Sequence, residues 1–483
     1  MTFTTLTFGI FLVITFGVYW WLRSWQAQNR FLLVASYFFY GWWDWRFCGL
    51  MLLSSVADYG FALALDRTDP WRRRKLVVAA SCVFNLTLLG FFKYFNFFAE
   101  SARELAQAMH WHMDMVTLQV ILPVGISFYT FQSMSYIIDV YRKEIAPTRS
   151  LLDYMAYVAL FPQLVAGPIQ RAHHLLPQVL APRQFNYHDA VDGLRLMLWG
   201  CFKKMAIADN LAVFVDQAYG DPRVFTGADL AFATLAFAFQ IYCDFSGYSD
   251  IAVGTATLFG FNLRRNFAFP YFSQSVPEFW RRWHISLSTW FRDYLYLPLG
   301  GSRVSTARHA FNLLVTFVVS GLWHGAAWNF IIWGGLNGLA MLPTLVVKPK
   351  AHIKAVELPG GTGWLPAPRS LGRMVWTFGF ICLTWVFFRA KTLHDAILIL
   401  SKMTLHLFDH AANLQTDGNL TISGMIGLLL AFIAAEWFSR AHAHPLQMEK
   451  WPNPLRWSIY TALIWFILFV PPPQTGGFIY FQF

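Results

Sequence analysis

Long apolar stretches recur from one end of this chain to the other, and they limit what it can fold into. Several contain the ~20 residues that an α-helix needs to cross a bilayer. Others are short, or too long for one span, and are interrupted by Gly, Pro or charge, which is typical of split helix pairs and re-entrant pieces. We therefore predict an all-α, polytopic transmembrane helix bundle with about eleven spans. The stretches lie near residues 5–22, 31–65, 76–98, 118–140, 151–169, 193–213, 227–262, 311–347, 374–388, 421–438 and 457–470.

The balance of apolar and charged side chains excludes a water-soluble globule. Of the 483 residues, 56% are hydrophobic and only 13% are charged, which leaves too little polar surface for a protein of this size in water. Because the helix bundle is the unit of folding in a bilayer, we expect residues 1–483 to form one membrane domain. The first apolar stretch lacks a small-residue cleavage site, so we expect a retained span rather than a signal peptide.

The distribution of basic residues predicts the orientation in the membrane. A net charge of +11 would suggest nucleic-acid binding in a soluble protein. Here the basic residues cluster in short loops, as the positive-inside rule expects, so we predict no nucleic-acid partner. Residues 66–75 and 141–150 should face the cytoplasm. Counting spans from these loops places both termini in the periplasm, with residues 471–483 as an uncharged tail.

The segment from Ser275 to Tyr296 predicts an amphipathic helix at a membrane interface. Ser275 and Glu278 have the spacing of a capping box, and Pro277 favours the first turn. The arginines of this region suit either anionic headgroups or an anionic acyl donor on the cytoplasmic side. The expected apolar face holds Trp280, Trp283, Leu287, Trp290, Phe291 and Tyr294, and the opposite face holds Arg281, Ile285, Ser288 and Arg292.

A few polar side chains in apolar surroundings are candidates for chemistry. His324 lies between small residues in SGLWHGAAWNF, which let another backbone or a substrate approach closely. Its imidazole could act as a general base or bond to a neighbouring helix. His284 lies among tryptophans, where it could help His324 in catalysis or have a structural, hydrogen-bonded role. Asp244 and Ser246 lie in DFSGYSD with Asp250, and they could line a polar path or join packed helices. The five cysteines lie singly, without metal-like spacing.

Several motifs make the chain resemble the membrane-bound O-acyltransferase family, and within it the bacterial branch typified by alginate O-acetylation proteins. They are LLVASYFFYGWW, LPVGISFYTFQSMSYIIDVYR, DFSGYSD, EFWRRWHISLSTWFRDYLYLPLGG, GLWHG and FIYFQF. The resemblance implies a ring of helices around a central tunnel. It also implies that His324 is the catalytic residue and that His284 is a second signature position. We expect the tunnel or the donor site to include Arg281, Arg282, Trp283, Trp323, Asn329, Asp244 and Ser246.

The same resemblance implies a function. From this resemblance we expect the chain to pass an acetyl group, from a donor such as acetyl-CoA, across the bacterial inner membrane. A periplasmic partner of the SGNH type then modifies an exopolysaccharide such as alginate, with peptidoglycan and cellulose as alternatives. We therefore expect lipids and this partner as direct contacts, the polymer as an indirect one, and no bound cofactor or metal.

The closing segment FIYFQF adds one further candidate. It resembles the C-terminal segment of the small partner of D-alanyl transfer proteins, which makes Tyr480 a possible acyl relay. The alternative is an aromatic anchor at the outer membrane interface.

Two functions of other classes also fit a polytopic bundle. They are a transporter of glycan or lipid-linked intermediates and a scaffold for a polysaccharide synthase.

Overall fold

The computed structural model describes residues 1–69, 71–111, 120–165, 167–345, 363–407, 409, 418 and 420–470. Every regular element in these ranges is helical, which confirms the all-α prediction. The chain forms two compact units. The first contains Met1–Ala190 and Thr255–Arg264, and the second contains Val191–Gly254 and the described residues from Arg265 onward. Whether the chain acts as one membrane domain stays a prediction.

The first unit is built from helices of very different lengths. Two short helices, Leu151–Val158 and Phe161–Leu164, occupy the stretch near residues 151–169. A π-helical turn, Gly90–Tyr94, joins α4 to α5. The helices are α1 (Leu6–Trp21), α2 (Trp25–Gly41), α3 (Arg46–Arg67), α4 (Trp71–Leu89), α5 (Phe95–Ala108), α6 (Ile126–Tyr141), α7 (Leu151–Val158), α8 (Phe161–Leu164) and α9 (Ala172–Val179).

The second unit begins within α10 and carries the candidate site. Two π-helical turns, Phe202–Ala208 and Arg292–Tyr296, continue α10 and α14, and two 3₁₀ turns, Pro270–Phe272 and Leu342–Leu345, lie in the connections. The helices are α10 (Tyr187–Cys201), α11 (Asp209–Gly220), α12 (Gly227–Leu258), α13 (Val276–Arg282), α14 (Ile285–Phe291), α15 (Thr306–His324), α16 (Trp328–Met341), α17 (Pro368–Arg389), α18 (Leu393–Leu405), α19 (Ile422–Ser439) and α20 (Asn453–Phe469).

Apolar side chains on the outside of the helices identify lipid as the solvent of this fold. Val13 on α1 is 72% exposed, and Leu430 on α19 and Leu468 on α20 are each 62% exposed. Within the described residues, five helical segments are long and apolar enough to cross a bilayer. The expected total of about eleven spans stays a prediction. The five segments are Arg46–Arg67, Trp71–Ala108, Gly227–Leu258, Pro368–Arg389 and Ile422–Ser439.

Helix α12 shows that glycine within an apolar stretch does not always mark a break. It runs unbroken for 32 residues although it contains Gly247 and Gly254. A Cβ atom at Gly254 would lie 2.4 Å from the backbone oxygen of Gly193 on α10. Glycine is needed here because the two helix backbones approach closely, and α12 continues through it as a helix.

The prediction of one amphipathic helix from Ser275 to Tyr296 is wrong in one respect. The helix begins where expected, and the Ser275 side chain accepts a hydrogen bond from the backbone N–H of Glu278. It ends at Arg282, and α14 starts at Ile285 after His284 adopts a left-handed conformation, with φ of 43°. Residues of both predicted faces from the two sides of the break, such as Trp280 and Ser288, line one cavity.

Candidate active site

The hairpin of α15 and α16 places His324 at the end of a helix. Three glycines let the two helices pack against each other closely. A Cβ atom added at Gly321 would lie 2.1 Å from the Phe330 backbone oxygen, and one added at Gly334 would lie 2.3 Å from the Phe317 backbone oxygen. At Gly325 it would lie 2.0 Å from the Phe330 ring. The small residues around His324 therefore serve the approach of another backbone, as the sequence suggested.

This packing predicts opposite effects for two adjacent glycines of α16. We expect Gly334→Ala to lower the free energy of unfolding by about 1–3 kcal/mol, because the new methyl group collides with the α15 backbone. Gly335→Ala should be neutral or stabilising by about 0.5–1 kcal/mol, because no atom lies within 4 Å of its Cβ position. Thermal unfolding of the two variants in detergent checks this. Equal behaviour of the pair would contradict the packing described.

The backbone carbonyl of Ser320 orients the imidazole of His324. The His324 Nδ1 lies 2.6 Å from this oxygen, which can only accept, so Nδ1 carries the proton. The neutral ring therefore has its basic lone pair on Nε2. Its side chain is almost fully buried, with the residue 3% exposed. The surrounding rings are Trp323, Trp333 and Phe388, whose centroids lie 5.0, 4.9 and 5.6 Å from that of His324.

His284 is oriented in the same way by a side chain. Its Nδ1 lies 3.2 Å from the Asn266 Oδ1, which also accepts from the backbone N–H and the hydroxyl of Ser286. The Ser286 N–H can only donate, so the Asn266 side-chain atom that it contacts is the amide oxygen. That oxygen can only accept, so the His284 Nδ1 carries the proton. In its neutral form, each histidine therefore has its basic lone pair on Nε2. No sequence pattern singled out Asn266, which follows Arg264 and Arg265 in an irregular segment.

One cavity of about 490 Å³ contains both histidines. His284 and His324 are buried in its wall, whereas Arg281 and Arg292 are exposed where it opens. Apolar side chains make up much of the remaining wall. A reactant could therefore pass from a basic surface to an imidazole within the protein. The apolar wall includes Trp280, Leu287, Phe291, Leu313, Phe317 and Met341.

The other predicted site residues have different positions. Trp323 packs between the two histidines, with its centroid 6.0 Å from His284 and 5.0 Å from His324. Trp283 is fully buried against Phe267, Phe279 and Trp385. Neither Trp323 nor Trp283 lines the cavity.

Two more of the predicted residues have clear structural contacts outside the cavity. Arg282 forms an ion pair with Glu278, at 3.0 Å. Asn329 donates to the backbone oxygen of Ala390, at 2.9 Å, and so fixes α16 to the end of α17. Tyr480 lies outside the described residues.

Asp244 and Ser246 belong to a buried charge cluster. The Lys204 Nζ lies 2.6 Å from Asp244 and 2.7 Å from Asp209. The adjacent Lys203 bonds to Ser246 at 2.8 Å and to Asp250 at 2.7 Å. These contacts favour the helix-joining alternative over a polar path for Asp244 and Ser246. The two lysines were not among the predicted site residues, although charged residues in the apolar stretch near 193–213 were the available signal.

The described residues contain no group of three or more His, Cys, Asp or Glu side chains that could hold a metal ion. The arrangement instead offers imidazole bases in a cavity with cationic side chains at its opening. Such a site can take a proton from a hydroxyl group while holding an anionic reactant. It has the components of an acyl-transfer site.

Comparison with known proteins identifies the family of this chain. Residues 142–388 match the family described as MBOAT, membrane-bound O-acyltransferase family. The chain is 39% identical over 447 residues to the probable alginate O-acetylase AlgI of Azotobacter vinelandii, covering 90% of this chain and 85% of that protein. It is 35% identical over 430 residues to the peptidoglycan O-acetyltransferase of Helicobacter pylori, covering 83% and 79%. The teichoic acid D-alanyltransferase of Streptococcus thermophilus is 26% identical over 55% of this chain and 68% of that protein. The chain therefore belongs to the membrane-bound O-acyltransferase family and is a multi-pass membrane acyltransferase.

Proposed function

We propose that this protein takes an acetyl group from acetyl-CoA at the cytoplasmic side of the inner membrane and passes it to an acceptor on the periplasmic side. The observation that supports this most directly is the cavity that joins exposed Arg281 and Arg292 to buried His284 and His324. The phosphates of coenzyme A suit the arginines. The thioester suits the apolar interior.

His324 acts as the general base in this proposal. Its Nε2 takes the proton from an acceptor hydroxyl, and the oxygen attacks the thioester carbonyl. The tetrahedral intermediate collapses with cleavage of the C–S bond, and the imidazolium returns the proton to the leaving thiolate. An acyl ester and a free thiol result, so the step needs no further reactant. The hydrogen bond to Ser320 holds Nε2 as the basic nitrogen throughout.

We further propose that the acceptor is Tyr480, or a hydroxyl of a periplasmic SGNH-type partner that completes the transfer to the polymer. The polymer is an exopolysaccharide such as alginate, since the relatives from Azotobacter and several Pseudomonas species are named probable alginate O-acetylases. Peptidoglycan is the second candidate because of the Helicobacter relative. In this arrangement the protein lies in the inner membrane with both termini in the periplasm.

Membrane vesicles from cells that express the full chain provide the test. Acetyl-CoA labelled in its acetyl group is supplied at the cytoplasmic face, and label is followed onto protein and polymer. We expect label to reach the opposite face together with release of coenzyme A thiol. Mass spectrometry of the peptide spanning residues 471–483 detects an acetyl group on Tyr480. Export of a glycan without any acetyl transfer would support a transporter and contradict the proposal.

A further inference from the structure

A second cavity lies between α19 and α20 and is separate from the one that contains the two histidines. Its volume is about 530 Å³, and most of its wall is apolar. The buried rings of Trp199 and Phe202 form its floor, and Phe432 on α19 stacks on Trp199 with centroids 5.8 Å apart. Both α19 and α20 pack against the π-helical turn Phe202–Ala208, and the cavity lies between them. We call it the α19–α20 cleft.

The α19–α20 cleft opens on a surface that faces lipid. Ala431 and Phe438 on α19 line the cleft and are exposed, Phe438 by 61%. Ile459 and Leu463 line it on α20, and Ile464 beside them is 45% exposed. Apolar side chains in contact with the hydrocarbon region therefore surround the opening. An acyl chain of the surrounding bilayer can enter the cleft from the side, without crossing the protein.

The length of the α19–α20 cleft is close to the depth of one leaflet. Along α19 it runs from Ala431 to Ser439, which is about 12 Å at a rise of ~1.5 Å per residue. One leaflet contributes about 15 Å to the hydrocarbon core. Trp451 and Trp457 are exposed at the end where Ser439 lies, and exposed tryptophans are typical of the membrane interface. The cleft thus extends from the interface through most of one leaflet.

The interfacial end of the α19–α20 cleft is basic. Residues 440–456 contain three lysine or arginine side chains and one acidic side chain, Glu449, whose carboxylate pairs with Arg195 at 3.2 Å. Arg456 lies about one turn before Ile459 on α20 and donates its Nη1 to the Glu449 backbone oxygen at 3.3 Å. Among the described residues, the buried Nε of Arg456 has no hydrogen-bond partner. His442 lines the cleft and is exposed at the same end.

We propose that the α19–α20 cleft binds one anionic phospholipid, with an acyl chain between the two helices and the phosphate at Arg456 and His442. The predicted orientation, with residues 471–483 in the periplasm, places this lipid in the cytoplasmic leaflet. The apolar wall suits the chain, and the excess of basic side chains favours a headgroup with a net negative charge. A bound lipid fills the space between α19 and α20 and so stabilises their arrangement. This inference does not depend on acetyl transfer.

Mass spectrometry of the intact full-length protein tests the preference for an anionic headgroup. Protein stripped of lipid in detergent is mixed with equal amounts of phosphatidylglycerol and phosphatidylcholine that carry the same acyl chains. For the wild type, we expect one bound phosphatidylglycerol with a Kd about tenfold lower than that of phosphatidylcholine, because the choline cation opposes binding beside Arg456. Arg456→Gln should remove most of this preference. Arg73→Gln, at an exposed position on α4, should retain it. Equal binding of the two lipids by the wild type would overturn the inference.

Two adjacent alanines of α19 test the position of the acyl chain. Ala435 lines the cleft, whereas Ala434 is exposed and does not line it. Ala435→Phe fills part of the cleft and should weaken the binding of both lipids, and Ala434→Phe should leave it unchanged. Thermal unfolding in detergent shows whether both variants are folded. Equal lipid binding by these two variants would place the lipid elsewhere and overturn the inference.

Photo-cross-linking identifies what occupies the cleft in the cell membrane. A photoreactive phenylalanine analogue replaces Phe438 at the opening, and intact membranes are irradiated before the protein is purified. Cross-links to phospholipid support the inference. Cross-links to protein in place of lipid, from a second copy of this chain or from another polypeptide, would overturn it. No acetyl donor is present in these experiments, so their outcome is distinct from that of the proposed function.

Discussion

Replacing His324 with alanine is expected to reduce acetyl transfer by about 10²–10⁴-fold, because a positioned general base contributes a factor of this size. The imidazole lies in the cavity wall with Nδ1 bonded to Ser320, and its loss removes the group that takes the acceptor proton. Label transfer from acetyl-CoA in membrane vesicles measures the effect. The binding affinity for coenzyme A should change much less, since Arg281 and Arg292, which are proposed to contact its phosphates, are unaltered.

A second histidine variant serves as the control for His324→Ala. His394 lies exposed in the first turn of α18, and His394→Ala should leave transfer unchanged. The amount of each variant in the membrane and its thermal unfolding in detergent show whether the protein is intact. Retained acetyl transfer in a folded His324→Ala protein would reject the assignment of the base. It would also favour the scaffold alternative, in which this histidine is dispensable.

Replacing Lys204 with methionine is expected to destabilise the protein by about 3–5 kcal/mol, the typical result of removing one partner from a buried ion pair. Lys204 holds Asp209 and Asp244 at 2.7 and 2.6 Å, and the side chains of all three are less than one tenth exposed. The variant leaves two carboxylates close together inside the protein without their cation. A marked fall in the detergent unfolding temperature measures this effect.

Lys450→Met is the matched control, because Lys450 is exposed and the same substitution there should have little effect. Adding Asp209→Asn and Asp244→Asn to Lys204→Met should recover part of the lost stability, since the charges that lack a partner are then removed. An unfolding temperature for Lys204→Met equal to that of Lys450→Met would show that the ion pairs contribute no stability. The cluster would then need another explanation.

The features that follow from local pattern could be predicted from the sequence. Apolar stretches predicted an all-α membrane protein, and the spacing of Ser275 and Glu278 predicted where α13 begins. The small residues around His324 predicted a close backbone approach, which the glycine contacts with α16 confirm. Each of these depends on residues within a few turns of one another. Local periodicity and propensity therefore carry the information.

The features that depend on distant parts of the chain could not be predicted in this way. The break at His284 is stabilised by Asn266, eighteen residues earlier, so the periodicity of residues 275–296 gave no sign of it. The contact between Tyr296 and His309 requires the intervening turn to reverse the chain. The pairing of Lys204 with Asp244 joins two helices forty residues apart. Tertiary contacts decide all three.

The left-handed backbone at His284 changes how this position should be studied by mutagenesis. With φ at 43°, the Cβ of any residue other than glycine conflicts with the following carbonyl at a cost of about 1–2 kcal/mol, so His284 itself carries this strain and its bond to Asn266 helps to hold it, a bond that alanine cannot make. A low rate in His284→Ala would mix a displaced α14 with a missing imidazole. Asparagine tolerates this conformation and keeps an amide that can donate to Asn266. The informative comparison is therefore His284→Asn with His284→Gly, because both retain the corner between the two short helices.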